Sequence, residues 1–278
     1  MIHTEGSLEG FKGLKLYYQS WLPEQKPKAA LLVLHGLAEH SGRYKNVVNY
    51  FVPRGYAIYS YDQRGHGKSE GARCYVDHFQ DFIADLHTFI KMVRGFQPDL
   101  KLFLVGHSIG ATLALTYAVQ HPGSVAGLVL SGIVLKPGES ITPVVKLLAR
   151  VLSVVVPRMG VSVLDASTIS RDKEVVDAYV NDPLVCRGKV PARMGAELLD
   201  MMEKYLPPKL GEVKLPLLIL HGGEDRLSNK EGSVLLYNRA SSTDKTLKIY
   251  DGFFHEIYNE PGRSQVFNDV KVWLVRHL

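Results

Sequence analysis

Six short stretches of the chain are almost unbroken in apolar residues: "ALLVLHG" (30–36), "YAIYSYD" (56–62), "KLFLVGH" (101–107), "VAGLVLSG" (125–132), "LPLLILHG" (215–222) and "TLKIYDG" (246–252). Continuous apolar runs of this length predict strands buried on both faces, as in a parallel sheet covered by helices. Between them, apolar positions recur at helical spacing over 44–52, 75–95, 110–120, 230–240 and 265–276. Strand and helix alternate, which predicts a doubly wound α/β fold with a mostly parallel central sheet. The alternation breaks once. From 133 to 207 the pattern holds helices and loop residues but no convincing strand. This predicts an inserted helical cap over the strand ends, where open α/β sheets bind ligands. The core would then be 1–132 with 208–278, and the cap 133–207.

Composition changes this picture little. The chain has 278 residues, 46% apolar, with a formal charge of +5. No Lys/Arg block interrupts the pattern, so a nucleic-acid partner is not expected. Cys74 and Cys186 supply neither a disulfide framework nor metal-ligand spacing, and no metal or cofactor is expected. The opening "MIHTEGSLEGFKG" lacks the apolar stretch of a signal peptide. The expectation is a cytoplasmic protein, peripherally associated with membrane.

The chemistry starts at "GHSIG". Ser108 stands between Gly106 and Gly110 where a predicted strand turns into a predicted helix. A nucleophile needs such a turn to protrude, and the crowded turn needs small neighbours. This is the nucleophile elbow of the α/β-hydrolase fold. A serine requires a base, and the base an orienting acid; in this fold they follow in the order Ser, Asp or Glu, His. Asp225 ("GEDRLS") and His255 ("FFHE") each follow a strand end on the same sheet edge. Glu224 is the rival acid. His221 ends a strand and reads as structural, and His277 lies in the terminal helix and reads as solvated. The oxyanion donors would be the backbone N–H groups of Ile109 and of Leu37, the latter in the loop "HGLAEHSGRY".

Together, "HGLAEHSGRY", "DQRGHGKSEG", "GHSIG", "DPLVC", "DRLS" and "DKTLKIYDGFFHE" resemble the monoacylglycerol lipases over nearly the whole chain. The resemblance implies a serine hydrolase that splits monoacylglycerol into fatty acid and glycerol through an acyl-enzyme. It also implies a lipophilic cap helix that touches membrane and a long acyl tunnel. Glu39, Arg43 and Tyr179 would form the polar pocket for glycerol. Two positions depart from the mammalian pattern: Tyr258 stands for a second histidine, and Ser228 for a cysteine after the acid. Cys186 matches a cap cysteine of the family.

The cap stretch "ITPVVKLLARVLSVVVP" carries Thr142, Lys146, Arg150 and Ser153 on one narrow helical stripe, with the remaining surface Val, Leu and Ile. Two charges and bounding prolines argue against a membrane span. The helix over 141–156 is expected to lie at a membrane interface, with Lys146 and Arg150 reaching anionic headgroups. A lysophospholipase or general carboxylesterase would keep every catalytic residue and is the alternative enzyme. A ligand-binding protein on a hydrolase scaffold is the non-enzymatic one. A serine nucleophile argues against the aspartate-dependent dehalogenases and epoxide hydrolases of the same fold. A proline iminopeptidase would need an acidic amine-binding cluster that the cap lacks. The oligomeric state, homodimer included, stays open.

Overall fold

The computed structural model describes residues 1–137 and 141–278. An eight-stranded sheet forms its centre. In chain order the sheet takes β1 (Ile2–Glu9), β2 (Lys15–Leu22), β3 (Ala29–Leu34), β4 (Tyr56–Tyr61), β5 (Leu102–His107) and β6 (Gly127–Ser131). A β7–β8 pair, Gly160–Ser162 with Val190–Pro191, lies apart, and β9 (Leu217–Gly222) and β10 (Lys245–Tyr250) complete the large sheet. Its order is β1-β2-β4-β3-β5-β6-β9-β10. Every pairing from β4 to β10 is parallel; β2 runs antiparallel to both its neighbours.

The buried strands explain why no polar alternation marks them. On β3, Ala30, Leu32 and Leu34 face one apolar layer while Leu31 and Val33 face the other. Successive side chains point to opposite faces, and both faces are covered, so every position is apolar. The first layer takes α2 (Phe79–Phe96), through Phe82, Leu86 and Phe89, and α3 (Ile109–Gln120). The second takes α1 (Lys45–Phe51) and the terminal α8 (Arg263–Arg276), through Phe51, Phe267 and Trp273.

Strands β1 and β2 lie outside the six predicted. On β1 most side chains are exposed, because it is the sheet's outer edge and buries little. Its residues therefore carry no continuous apolar signal. The predicted helix over 75–95 begins only at Phe79.

Between β6 and β9 the chain leaves the sheet for α4 (Pro143–Val155), α5 (Lys173–Asn181), α6 (Ala192–Asp200) and a π-helical turn, Met201–Tyr205. Residues 138–140 of this excursion lie outside those described. The β7–β8 pair corrects the expectation of a strand-free excursion. At two and three residues, these strands are too short to show a period in the sequence.

On α4 the orientation is the reverse of a solvated amphipathic helix. Thr142 caps the helix by accepting from the Val145 N–H. Ala149 and Ser153 are buried. The cations turn inward: Lys146 Nζ lies 2.7 Å from Glu203 Oε1 and Arg150 Nη2 2.6 Å from Glu203 Oε2. Lys146 and Arg150 thus have a protein partner, which corrects the expectation that they reach out to headgroups. Outward face Val144, Leu147, Leu148, Val151, Val154 and Val155, each at least 50% exposed. Among the described residues, no helix is long and apolar enough to cross a membrane.

Candidate active site

Ser108 sits between the end of β5 and the start of α3 with φ 55° and ψ −121°. Such a backbone is strained for a residue with a side chain. Two glycines make it attainable. A Cβ on Gly106 would stand 2.5 Å from the Gly110 carbonyl oxygen, and one on Gly110 would run into the Leu34 carbonyl. The Ser108 N–H donates to Ser131 O on β6 at 2.9 Å, which pins the elbow to the sheet.

Asp225 and His255 meet across the loops that follow β9 and β10. His255 Nδ1 lies 2.6 Å from Asp225 Oδ2. A carboxylate only accepts, so Nδ1 carries the proton and Nε2 keeps its lone pair. Asp225 Oδ1 accepts from the N–H groups of Leu227 (2.8 Å) and Ser228 (3.0 Å). Burial alone would raise the Asp225 pKa; the charge of His255 and hydrogen bonds from His221 and His255 instead hold it far below the usual carboxylate range. Burial likewise works against charge on His255, yet Asp225 raises its pKa above the ordinary histidine value. Glu224, the rival acid, is exposed.

Two further groups hold the acid. His221 is fully buried, with Nε2 3.1 Å from Asp225 Oδ2 and Nδ1 2.7 Å from Ser233 Oγ. Ser228 Oγ donates to Asp225 Oδ2 at 2.8 Å. His221, read as structural, thus holds Asp225 directly, and no spacing rule marks that contact. His277 is not the free surface group expected: it stacks on Trp273 and pairs with Asp244 at 2.7 Å.

The oxyanion candidates are free to donate. Neither the Leu37 nor the Ile109 N–H has an acceptor among the described residues. The Leu37 loop is tightly held: Glu39 Oε1 accepts from the Gly36 N–H at 2.6 Å and from Tyr44 Oη at 2.8 Å. Ala38 adopts φ 70°, and its carbonyl accepts from the Cys186 N–H at 2.8 Å. His40 pairs with Asp182 at 2.9 Å. The motifs "HGLAEHSGRY" and "DPLVC" thus meet, one from each side of the site.

One cavity joins these groups. It encloses about 1040 Å³ up to and including its open mouth. Ser108, His255, Leu37, Ile109, Glu39 and Tyr179 line it, together with side chains of α4 and α6, among them Val145 and Leu198, and apolar residues of the segments between them, such as Leu164 and Val190. Arg43 departs from the expectation of a direct substrate contact: it is not among the wall residues. Its guanidinium pairs with Glu39 at 2.9 Å and Glu256 at 2.6 Å, beneath the Tyr179 ring. Glu256 lines the cavity and was missed in the sequence; its one signal is its place directly after His255.

Both cysteines are free thiols, Cys74 buried and Cys186 half-buried. Hydrogen bonding from the Cys74 thiol lowers the Cys186 pKa to about 6, while the same contact and burial raise that of Cys74.

A mostly parallel sheet with a serine at its strand–helix elbow and an Asp–His pair on the same edge defines a serine α/β-hydrolase. The family model described as serine aminopeptidase, S33, matches residues 25–262. The chain is 37% identical over 275 residues to the monoacylglycerol lipase of Mycolicibacterium smegmatis, covering 99% of this chain and 98% of that one. It is 37% identical over 265 residues to the monoglyceride lipase of Homo sapiens, covering 94% of this chain and 87% of that one. The crystal structure of Paleococcus ferrophilus monoacylglycerol lipase superposes with a TM-score of 0.85 at 30% identity, covering 95% of this chain and 99% of that one. The chain belongs to this serine hydrolase family, alongside those lipases.

Proposed function

We propose that the protein hydrolyses monoacylglycerols to fatty acid and glycerol through an acyl-enzyme on Ser108. The observation that carries the reading is the cavity: apart from Ser162 and Tyr179, the walls from the excursion between β6 and β9 are apolar, and Ser108 shares the cavity with Glu39, Tyr179, His255 and Glu256. An acyl chain fits the first and a small polyol the second. His255 Nε2 takes the Ser108 proton as Oγ attacks the ester carbonyl. Asp225 holds the ring and stabilises the imidazolium. The Leu37 and Ile109 N–H groups receive the oxyanion. His255 then protonates the departing glycerol oxygen, and water enters to release the fatty acid by the same steps. Glu39 and Tyr179 face the glycerol, and Arg43 positions Glu39.

Residues 133–207 act as the cap in this reading. The outward apolar face of α4 rests on lipid, so that substrate passes from bilayer to cavity without crossing water. Exposing an acyl chain would cost about 0.8 kcal/mol per methylene. The relatives named for monoacylglycerol favour this substrate over a lysophospholipid. The test is a panel of monoacylglycerol, diacylglycerol and lysophospholipid at matched acyl length. Hydrolysis of monoacylglycerol that disappears in Ser108→Ala is the expected result; a preference for lysophospholipid would overturn the assignment.

A further inference from the structure

Apart from His107, Tyr179 and the catalytic His255, the ionisable side chains at the polar end of the cavity are carboxylates. Of its wall residues among those described, only Glu39 and Glu256 are acidic, and no lysine or arginine lines it. Both are almost fully buried. Arg43 lies behind them, with Nη1 2.9 Å from Glu39 Oε2 and 2.6 Å from Glu256 Oε1, and Nη2 2.8 Å from Glu256 Oε2. The cluster therefore holds two negative charges against one positive. Its remaining donors also come from the protein: Gly36 N–H and Tyr44 Oη to Glu39, and Asn259 Nδ2 to Glu256 at 2.8 Å. Each carboxylate offers about four lone-pair sites, and three hydrogen bonds reach each one. What is left to face the cavity only accepts.

We infer that Glu256, with Glu39, makes the enzyme select its ester by the charge of the leaving alcohol, taking neutral or cationic polyols and rejecting phosphate-bearing headgroups. The inference rests on the ester-hydrolase reading above and specifies which esters that site takes. A glycerol hydroxyl brings a donor to an acceptor. A phosphate brings only acceptors and a negative charge, which would be desolvated opposite a net negative cluster. At an effective dielectric of about 20, two unit charges about 6–12 Å apart discriminate on the order of 10- to 100-fold. An ammonium at the same place would be favoured.

The experiment uses the full chain and four esters of one short acyl group, kept monomeric. These are the 1-acylglycerol, its 3-phosphate, the neutral dimethyl phosphate triester of that compound, and the 3-amino-3-deoxy analogue. The triester keeps the phosphoryl group without its charge and is larger by two methyl groups, so size alone would favour the phosphate. The expected kcat/KM is at least about 10-fold higher for the triester than for the phosphate, with the ammonium ester at or above the glycerol ester. Glu256→Gln should narrow the triester-to-phosphate ratio by about 10-fold. Equal rates for triester and phosphate in the parent enzyme would overturn the inference, and this comparison needs no variant to fold. An unchanged ratio in a folded Glu256→Gln would overturn the role of Glu256. Failure of the parent to cleave any of the four esters would instead sink the ester-hydrolase reading, and the inference with it.

Discussion

Changing Leu147 and Val151 to Glu tests whether the outer face of α4 meets lipid. The two side chains are 63% and 52% exposed and sit one turn apart on the outward face. Complete burial of a Leu or Val is worth about 1.5–3 kcal/mol, so inserting the exposed part of each contributes about 1–1.5 kcal/mol. Losing both removes roughly 2–3 kcal/mol, a 30- to 150-fold fall in membrane partitioning before any cost of the carboxylates. Lys146 and Arg150 are paired with Glu203, so membrane binding through this face would be apolar in origin and should change little with salt. The assay is sedimentation with vesicles of zwitterionic lipid, run at two ionic strengths, beside hydrolysis of a short soluble ester. Vesicle binding should collapse while soluble-ester activity survives, because Ser108, Asp225 and His255 lie on the core strands' loops. Unchanged vesicle binding in a variant with the parent's Tm would refute the reasoning. A large fall in Tm would show that this face is covered in the folded protein.

The other expectations concern the chemistry. Ser108→Ala should lower kcat by about 10⁶ and abolish labelling by a fluorophosphonate; persistent labelling would move the nucleophile elsewhere. Asp225→Asn should cost about 10⁴ in kcat, whereas exposed Glu224→Gln should match the parent; the reverse pattern would reassign the acid. The His255 pKa is raised and the base must be neutral to act, so kcat/KM should fall as pH drops, on a limb centred above 6.5, the unperturbed histidine value; a limb centred below 6.5 would contradict the Asp225–His255 coupling. Iodoacetamide at pH 7 should modify Cys186 ahead of Cys74, read by peptide mass, because Cys186 is the more exposed and the more acidic thiol; faster loss of Cys74 would invert that order.

Much of the framework is legible in local pattern. Parallel strands buried on both faces must be apolar throughout, so β3, β5 and β9 announce themselves as runs, and the glycines around Ser108 mark a turn that only small residues permit. Asp225 and His255 are legible through position, since in a parallel sheet the loops after successive strands open on one edge. Edge strand β1 is not legible, because it buries little and its residues have no reason to be uniformly apolar. The α4 pattern was read correctly as a helix with a narrow polar stripe and an outward apolar face, but the pairing of Lys146 and Arg150 was not. Periodicity puts the two cations on one stripe and does not say what they meet; that was settled by Glu203, about 50 residues away in the chain. The same holds at the site. Glu39, Arg43 and Glu256 form one ionic cluster only because two loops separated by more than 200 residues close on each other. The sequence by itself determined the sheet, the elbow and the chemistry each loop carries, since these depend on neighbours a few residues away. Tertiary structure alone decided which charges neutralise one another and which stay facing the cavity, because burial and Coulomb energy depend on distance in space, which local sequence does not encode.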